Sequence, residues 1–186
     1  MSFKVLVIPE DHTNNGYILK PLVEAILADA GKPQARVVVL TSPRINGFSQ
    51  AKTAIREELP ERYGFYDLWL FIPDADEGTP GAMQALEREL AAKNIKLLCC
   101  PAQPEVEIYA CVAHREHLPA PWQTVREERD LKEKYFDPLI KARGDPRAAG
   151  KGRTEFTKAS ITPRNTLYQF CPELAGLRDR IKDLFP

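Results

Sequence analysis

Residues 3–8 read FKVLVI and run into Pro9-Glu10-Asp11, and residues 67–72 read DLWLFI and run into Pro73-Asp74-Ala75-Asp76-Glu77. Both runs are apolar at successive positions rather than alternate ones, and rich in β-branched or aromatic side chains. That pattern predicts strands buried on both faces, as in a parallel sheet covered by helices. In an open α/β sheet the carboxyl ends of parallel strands share one rim, where ligands bind. Glu10, Asp74 and Asp76 each follow such an end.

Working outward, residues 17–30 place Ile18, Leu22, Ile26 and Leu27 at helical spacing, and Gly31 stops that helix. Residues 36–40 (RVVVL) predict a second buried strand. Residues 49–59 read as a helix ended by Pro60. The next helix has Thr79 as its cap, Pro80 in its first turn and Met83, Leu86 and Leu90 facing inward. Residues 95–100 (IKLLCC) predict the fourth strand, and another helix begins within residues 105–113. The order β-α-β-α-β-α-β predicts an α/β, Rossmann-like, mostly parallel four-stranded sheet with right-handed crossovers and helices on both faces. Beyond it, residues 130–141 read as a helix, residues 142–158 as a glycine-containing basic loop, and residues 174–184 as a terminal helix. The expected organisation is an α/β core over residues 1–115 with a helical extension over 116–186 packed on it as one domain.

The chain has 186 residues, 26 basic and 26 acidic, so a global polyanion-binding charge is excluded and any contact with nucleic acid must come from local clustering. No apolar run reaches membrane-spanning length. The N-terminus passes straight into a strand, with neither a charged leader nor a cleavage site, which points to a cytoplasmic protein. Four cysteines, Cys99, Cys100, Cys111 and Cys171, show no zinc-ligand spacing, and Cys99 and Cys100 read as buried thiols.

Carboxylates gathered on one rim repel one another unless a cation lies between them. An all-oxygen acidic set suits a hard divalent ion, Mg²⁺ or Mn²⁺. Glu10, Asp74 and Asp76 are therefore candidate ligands and catalytic groups for phosphoryl chemistry, with Glu10 an alternative general acid or base. After the fourth strand, Glu105 and Glu107 point to the same rim. Two residues apart, they do not share a helical face. Glu107 is preferred as a catalytic carboxylate, and Glu105 is a further candidate ligand or a first-turn acid. Asp11, His12, His114 and His117 read as loop or helix-end residues. Residues 141–164 carry Lys141, Arg143, Arg147, Lys151, Arg153, Lys158 and Arg164 against Asp145 and Glu155. Within this segment Arg147, Lys151, Arg153 and Lys158 are candidate nucleic-acid contacts, and its glycines would let the backbone approach phosphates.

Glu10 after the first strand and Asp74-Ala75-Asp76 after the third resemble the Toprim pattern over about residues 1–113. Pro104-Glu105-Val106-Glu107-Ile108-Tyr109 looks like the PExE-aromatic motif of small stand-alone bacterial Toprim proteins of the OLD and RloB-like kind. The tail from Gly152-Arg153 through Leu167-Tyr168 to Cys171-Pro172-Glu173-Leu174 is similar to their C-terminal pattern. The chain departs from many Toprim domains in having Asp11, not glycine, after the motif glutamate. The resemblance implies a Mg²⁺-dependent nuclease acting on DNA or RNA and linked to phage defence. It also implies an ABC-type ATPase as a separate partner chain, since no P-loop is present here. A homodimer is compatible with this reading. The alternative is a non-catalytic Toprim-like module that binds an ATPase or nucleic acid. The string from Asp74 to Thr79 also fits DxDxxT, which would make Asp74 a phosphatase-type nucleophile.

Overall fold

The structure, a computed structural model, describes residues 2–75 and 80–186. Among them, β1 (Lys4–Pro9), β2 (Arg36–Val39), β3 (Leu68–Ile72) and β4 (Leu97–Cys99) form one all-parallel sheet in the order β2-β1-β3-β4. In chain order the α-helices are α1 (Gly16–Asp29), α2 (Phe48–Glu57), α3 (Leu59–Tyr63), α4 (Pro80–Ala91), α5 (Ile108–Cys111), α6 (Trp122–Glu127), α7 (Asp137–Arg143), α8 (Arg153–Ile161), α9 (Arg164–Phe170) and α10 (Pro172–Leu184). The Rossmann-like α/β class expected from the strand runs is the class observed.

Burial on both sides explains why the strand sequences are unbroken apolar runs. Val5, Val7, Leu68, Leu70, Ile72 and Leu98 enter one core with residues of α1, α5, α8 and α10. Their strand neighbours Leu6, Ile8, Trp69, Phe71, Leu97 and Cys99 enter a second core with residues of α2, α3 and α4. Trp69 and Phe71 are fully buried, and removing a side chain of this size from water contributes about 1.5–3 kcal/mol each.

The C-terminal third is part of the same construction. Phe156, Leu167, Leu174 and Ile181 join the first core. One polar contact fixes α8 on α1. Pro21 lies inside α1 and has no N–H for the carbonyl four residues back. That carbonyl, on Tyr17, accepts instead from the Thr154 hydroxyl of α8 at 3.3 Å. Buried Ser160 links α8 to α5, donating to the Ala110 carbonyl and accepting from the Ala113 N–H, both at 3.0 Å.

Several local expectations are corrected. β2 is an edge strand with Arg36 exposed and Val38 and Val39 only partly buried, not a second fully buried strand. Pro60 does not end a helix but stands in the first turn of α3, where a missing N–H is harmless. The helix expected over residues 130–141 opens as a π-helical turn over Lys132–Phe136 before α7 begins. The basic loop is shorter than expected, since Arg153–Ile161 is helix. The expected cap Thr79 and the candidate site residue Asp76 lie outside the described residues. All four cysteines are buried free thiols. Among the described residues no helix is long and apolar enough to cross a membrane.

Candidate functional site

From β1 the chain goes out to β2 on one side and then returns to place β3 on the other. The crevice at such a reversal of strand order is where open α/β sheets take ligands. Ile8 lies beside Phe71 and Pro9 beside Ile72, so Glu10 and Asp74 leave the sheet next to each other. The Asp74 backbone N–H donates to Glu10 Oε2 at 3.0 Å. Asp74 Oδ1 in turn accepts from the Val106 N–H at 2.9 Å. The Ala75 N–H donates to the Pro104 carbonyl at 2.8 Å, and the Ala102 N–H to the Pro73 carbonyl at 2.7 Å. Segments following β1, β3 and β4 are thus joined side by side on the predicted rim.

The turn after Glu10, where the chain departs from the Toprim pattern, is held by one side-chain bond and several backbone bonds. Asp11 Oδ1 accepts from the Thr13 N–H at 2.7 Å, an Asx turn. The backbone carbonyl of buried Asn15 accepts from the N–H groups of Ile18 and Leu19 at the start of α1. The Gly47 N–H donates to the Glu10 carbonyl at 3.3 Å, and His12 Nδ1 lies 3.1 Å from the Ile45 carbonyl oxygen. Gly47 has φ +88°, a conformation glycine adopts without strain.

Neither glutamate after β4 is a freely solvated first-turn acid. Glu105 is half-buried, and its Oε2 accepts from the Lys132 N–H at 2.7 Å. Burial pushes the Glu105 carboxyl up to about 7, with the Asp74 charge adding to the rise and the Lys132 N–H opposing it. Glu107 is only 3% exposed. Burial, then the charge of Asp74, pushes it up to about 7 as well, against the pull of Lys132. Two carboxyls that titrate near neutrality beside a third acid are suited to proton transfer or to cation binding.

The donor set fits a hard dication in kind: Glu10, Asp74, Glu105 and Glu107 offer only oxygen, and the last two are raised toward neutrality. Among the described residues, no three His, Cys, Asp or Glu side chains already stand as a ligand group. Charge coupling reaches farther than coordination, so the two observations agree. Glu10, Asp74 and Glu105 are the residues that could hold such an ion.

The chain matches no protein-family model, no curated protein and no solved structure.

The basic residues divide. Lys151 and Arg153 line one cavity of about 510 Å³ together with Asn14, Lys132, Asp137, Ile140, Lys141, Gly144 and Pro146. Arg147 is exposed, its N–H bonded to Asp145 Oδ1 at 2.8 Å. Lys158 is paired with Glu155 at 3.0 Å on the exposed side of α8. Neither lines that cavity. Arg153 is not an exposed loop contact: it starts α8 and is 7% exposed. Lys132 is the residue that sequence reasoning missed. Its backbone N–H holds Glu105 and the residue also lines the basic cavity, and no spacing in the sequence signals that double position. His114 is half-buried and stacked on Phe156, ring centroids 4.0 Å apart, and burial lowers its pKa.

Proposed function

We propose that this chain is a metal-dependent nuclease of the Toprim type, hydrolysing phosphodiester bonds of DNA or RNA. The observation that carries the reading is the hydrogen-bonded path from Glu10 through Asp74 to Val106 at the reversal of strand order. It sets the carboxylates of Glu10 and Asp74, from two strand ends, against the segment after β4 that carries Glu105 and Glu107, which supports a reading as a dication site.

In this reading Glu10, Asp74 and Glu105 hold Mg²⁺ or Mn²⁺, and Asp76 is a further ligand. A bound ion supplies neutralisation of the phosphate charge, a more acidic water and stabilisation of the leaving oxygen. Glu10 and Asp74 are oriented for this by the backbone N–H groups they face. Glu107, with a pKa near 7, is able to take a proton from an attacking water or return one to a leaving oxygen at neutral pH. Its burial keeps bulk water from exchanging that proton freely. The resemblance to small Toprim proteins further suggests a role in phage defence with a separate ATPase chain.

The test is cleavage of single- and double-stranded DNA and RNA with Mg²⁺ or Mn²⁺. Glu10→Ala, Asp74→Ala and Asp76→Ala are expected to lose at least about a hundredfold in rate, the scale of one catalytic group. Cleavage unchanged in all three variants removes the reading.

A second reading, a non-catalytic module that binds an ATPase or nucleic acid, is favoured by one observation. The described carboxylates do not already form a ligand group of three. It predicts nucleic-acid or ATPase binding without cleavage and without a carboxylate-dependent affinity for divalent ions.

A further inference from the structure

The basic cavity is built in a way that a solvated loop is not. Four cationic residues, Lys132, Lys141, Lys151 and Arg153, line it with one acidic residue, Asp137. Like charges brought together raise the free energy of the empty site and fall into place around an anion.

Arg153 is the most telling of the four. Its side chain is 8% exposed, and its Asp137 contact is 3.5 Å long. Its bond to the Gly150 carbonyl is 3.2 Å, and its buried Nε has no acceptor. Charge-assisted bonds to guanidinium normally close to about 2.7–2.9 Å. The Phe136 ring covers the guanidinium at 5.2 Å from its centroid, and an anion in the cavity would supply the acceptor it lacks. Lys151 adds a second sign. It sits between Gly150 and Gly152 with φ +55°, a left-handed conformation that a lysine adopts at some strain.

Size and place narrow the ligand. The volume of about 510 Å³ exceeds that of a bare inorganic ion and lies within the usual range for small-molecule sites, about 300–1,000 Å³. Ile140, Gly144 and Pro146 give it uncharged wall. Lys132 joins it to the acidic rim, since the Lys132 N–H holds Glu105.

We propose that this cavity seats a nucleotide phosphate of the nucleic-acid strand, anchoring the strand beside the carboxylates that act on it. The shared chemistry is a phosphate ester, and the strand assignment rests on the nuclease reading. The anchoring itself needs no divalent ion.

The experiment is fluorescence anisotropy of a labelled short single strand in EDTA, with unlabelled AMP and adenosine as competitors. Wild type is expected to bind, and AMP to displace the strand where adenosine at the same concentration does not. Lys141→Gln and Lys151→Gly are each expected to weaken binding by about three- to tenfold and to lower the salt slope by about one. Lys151→Gly also relieves the left-handed strain, so folding is retained, and melting curves check this. Lys182→Gln, an exposed lysine on α10, stays within about twofold of wild type, as a charge outside the anchor should.

The proposal is overturned if wild type binds neither ligand, if both cavity variants bind like wild type, or if Lys182→Gln loses as much as they do. Binding of AMP without binding of the strand overturns the strand assignment. Phosphate-dependent binding in EDTA with no cleavage in Mg²⁺ supports the anchor and sinks the nuclease reading alone.

Discussion

Replacing Glu107 by glutamine is expected to stabilise the folded chain at pH 8 and to flatten its pH dependence. Glu107 is 3% exposed and near Asp74, and its folded pKa is about 7, against 4.5 for an ordinary glutamate. Between those values the folded state keeps a proton that the unfolded chain has released. Stability therefore falls as pH rises from about 4.5 to 7 and levels off above that. A separation of about two and a half units corresponds to about 3 kcal/mol. Glu105 titrates in the same range and repels Glu107, so the two behave as a coupled pair whose effects do not add. Glutamine keeps the size and removes the charge. At pH 8 the variant should exceed wild type by up to about 3 kcal/mol, or about 6–12 °C in Tm for a chain of this length. Near pH 5 the two should converge. His114 changes stability in the opposite sense, because burial lowers its folded pKa, but that contribution is common to both proteins and cancels in the difference. Thermal and urea unfolding followed by circular dichroism across this range provides the comparison. A difference between the proteins that stays constant from pH 5 to pH 8, or shrinks toward pH 8, refutes the reasoning.

Gly150→Ala should destabilise by about 1–3 kcal/mol, because a Cβ there would lie 2.4 Å from Tyr17 Cγ and the residue has φ +62°. In a Tyr17→Gly background, which also removes the Tyr17 Cβ that would lie 2.7 Å away, the clash is relieved while the backbone strain remains, leaving about 1 kcal/mol, which melts of the four proteins will resolve. Glu87→Ala should expose the edge of β4, since Glu87 Oε1 accepts from the Cys99 N–H at 2.7 Å and holds Arg180, which donates to the Cys99 carbonyl. Sedimentation velocity should then show self-association that grows with concentration, with about 1–2 kcal/mol of stability lost.

The sheet was legible in the sequence because strands buried on both faces cannot carry polar residues at alternate positions. FKVLVI and DLWLFI have that character, and their ends point to Glu10 and Asp74. The pairing of Glu10 with Asp74 followed from the rule for strand ends. The exposed side of β2 did not, because RVVVL looks the same whether one or two neighbours flank it. The C-terminal third was harder to read. Helices such as α6 and α9 are only 6 and 7 residues long, too short to establish a 3.6-residue period, and each buries few side chains. Arg153 was read as a loop residue because the left-handed turn over Gly150, Lys151 and Gly152 hides the start of α8. Lys132 was not legible at all. Its place beside Glu105 depends on a π-helical turn and on a contact between residues 27 positions apart.

The most direct measurement is a calorimetric titration with Mn²⁺ at neutral pH, repeated in buffers of different ionisation enthalpy. The account predicts binding by wild type with net proton release, because Glu105, one of the proposed ligands, has a carboxyl pushed up to about 7 and must give up its proton to an ion. It predicts at least about tenfold weaker binding in Asp74→Asn. Absence of binding to wild type, or undiminished binding in Asp74→Asn, contradicts the claim that carboxylates from separate strand ends unite to hold a dication.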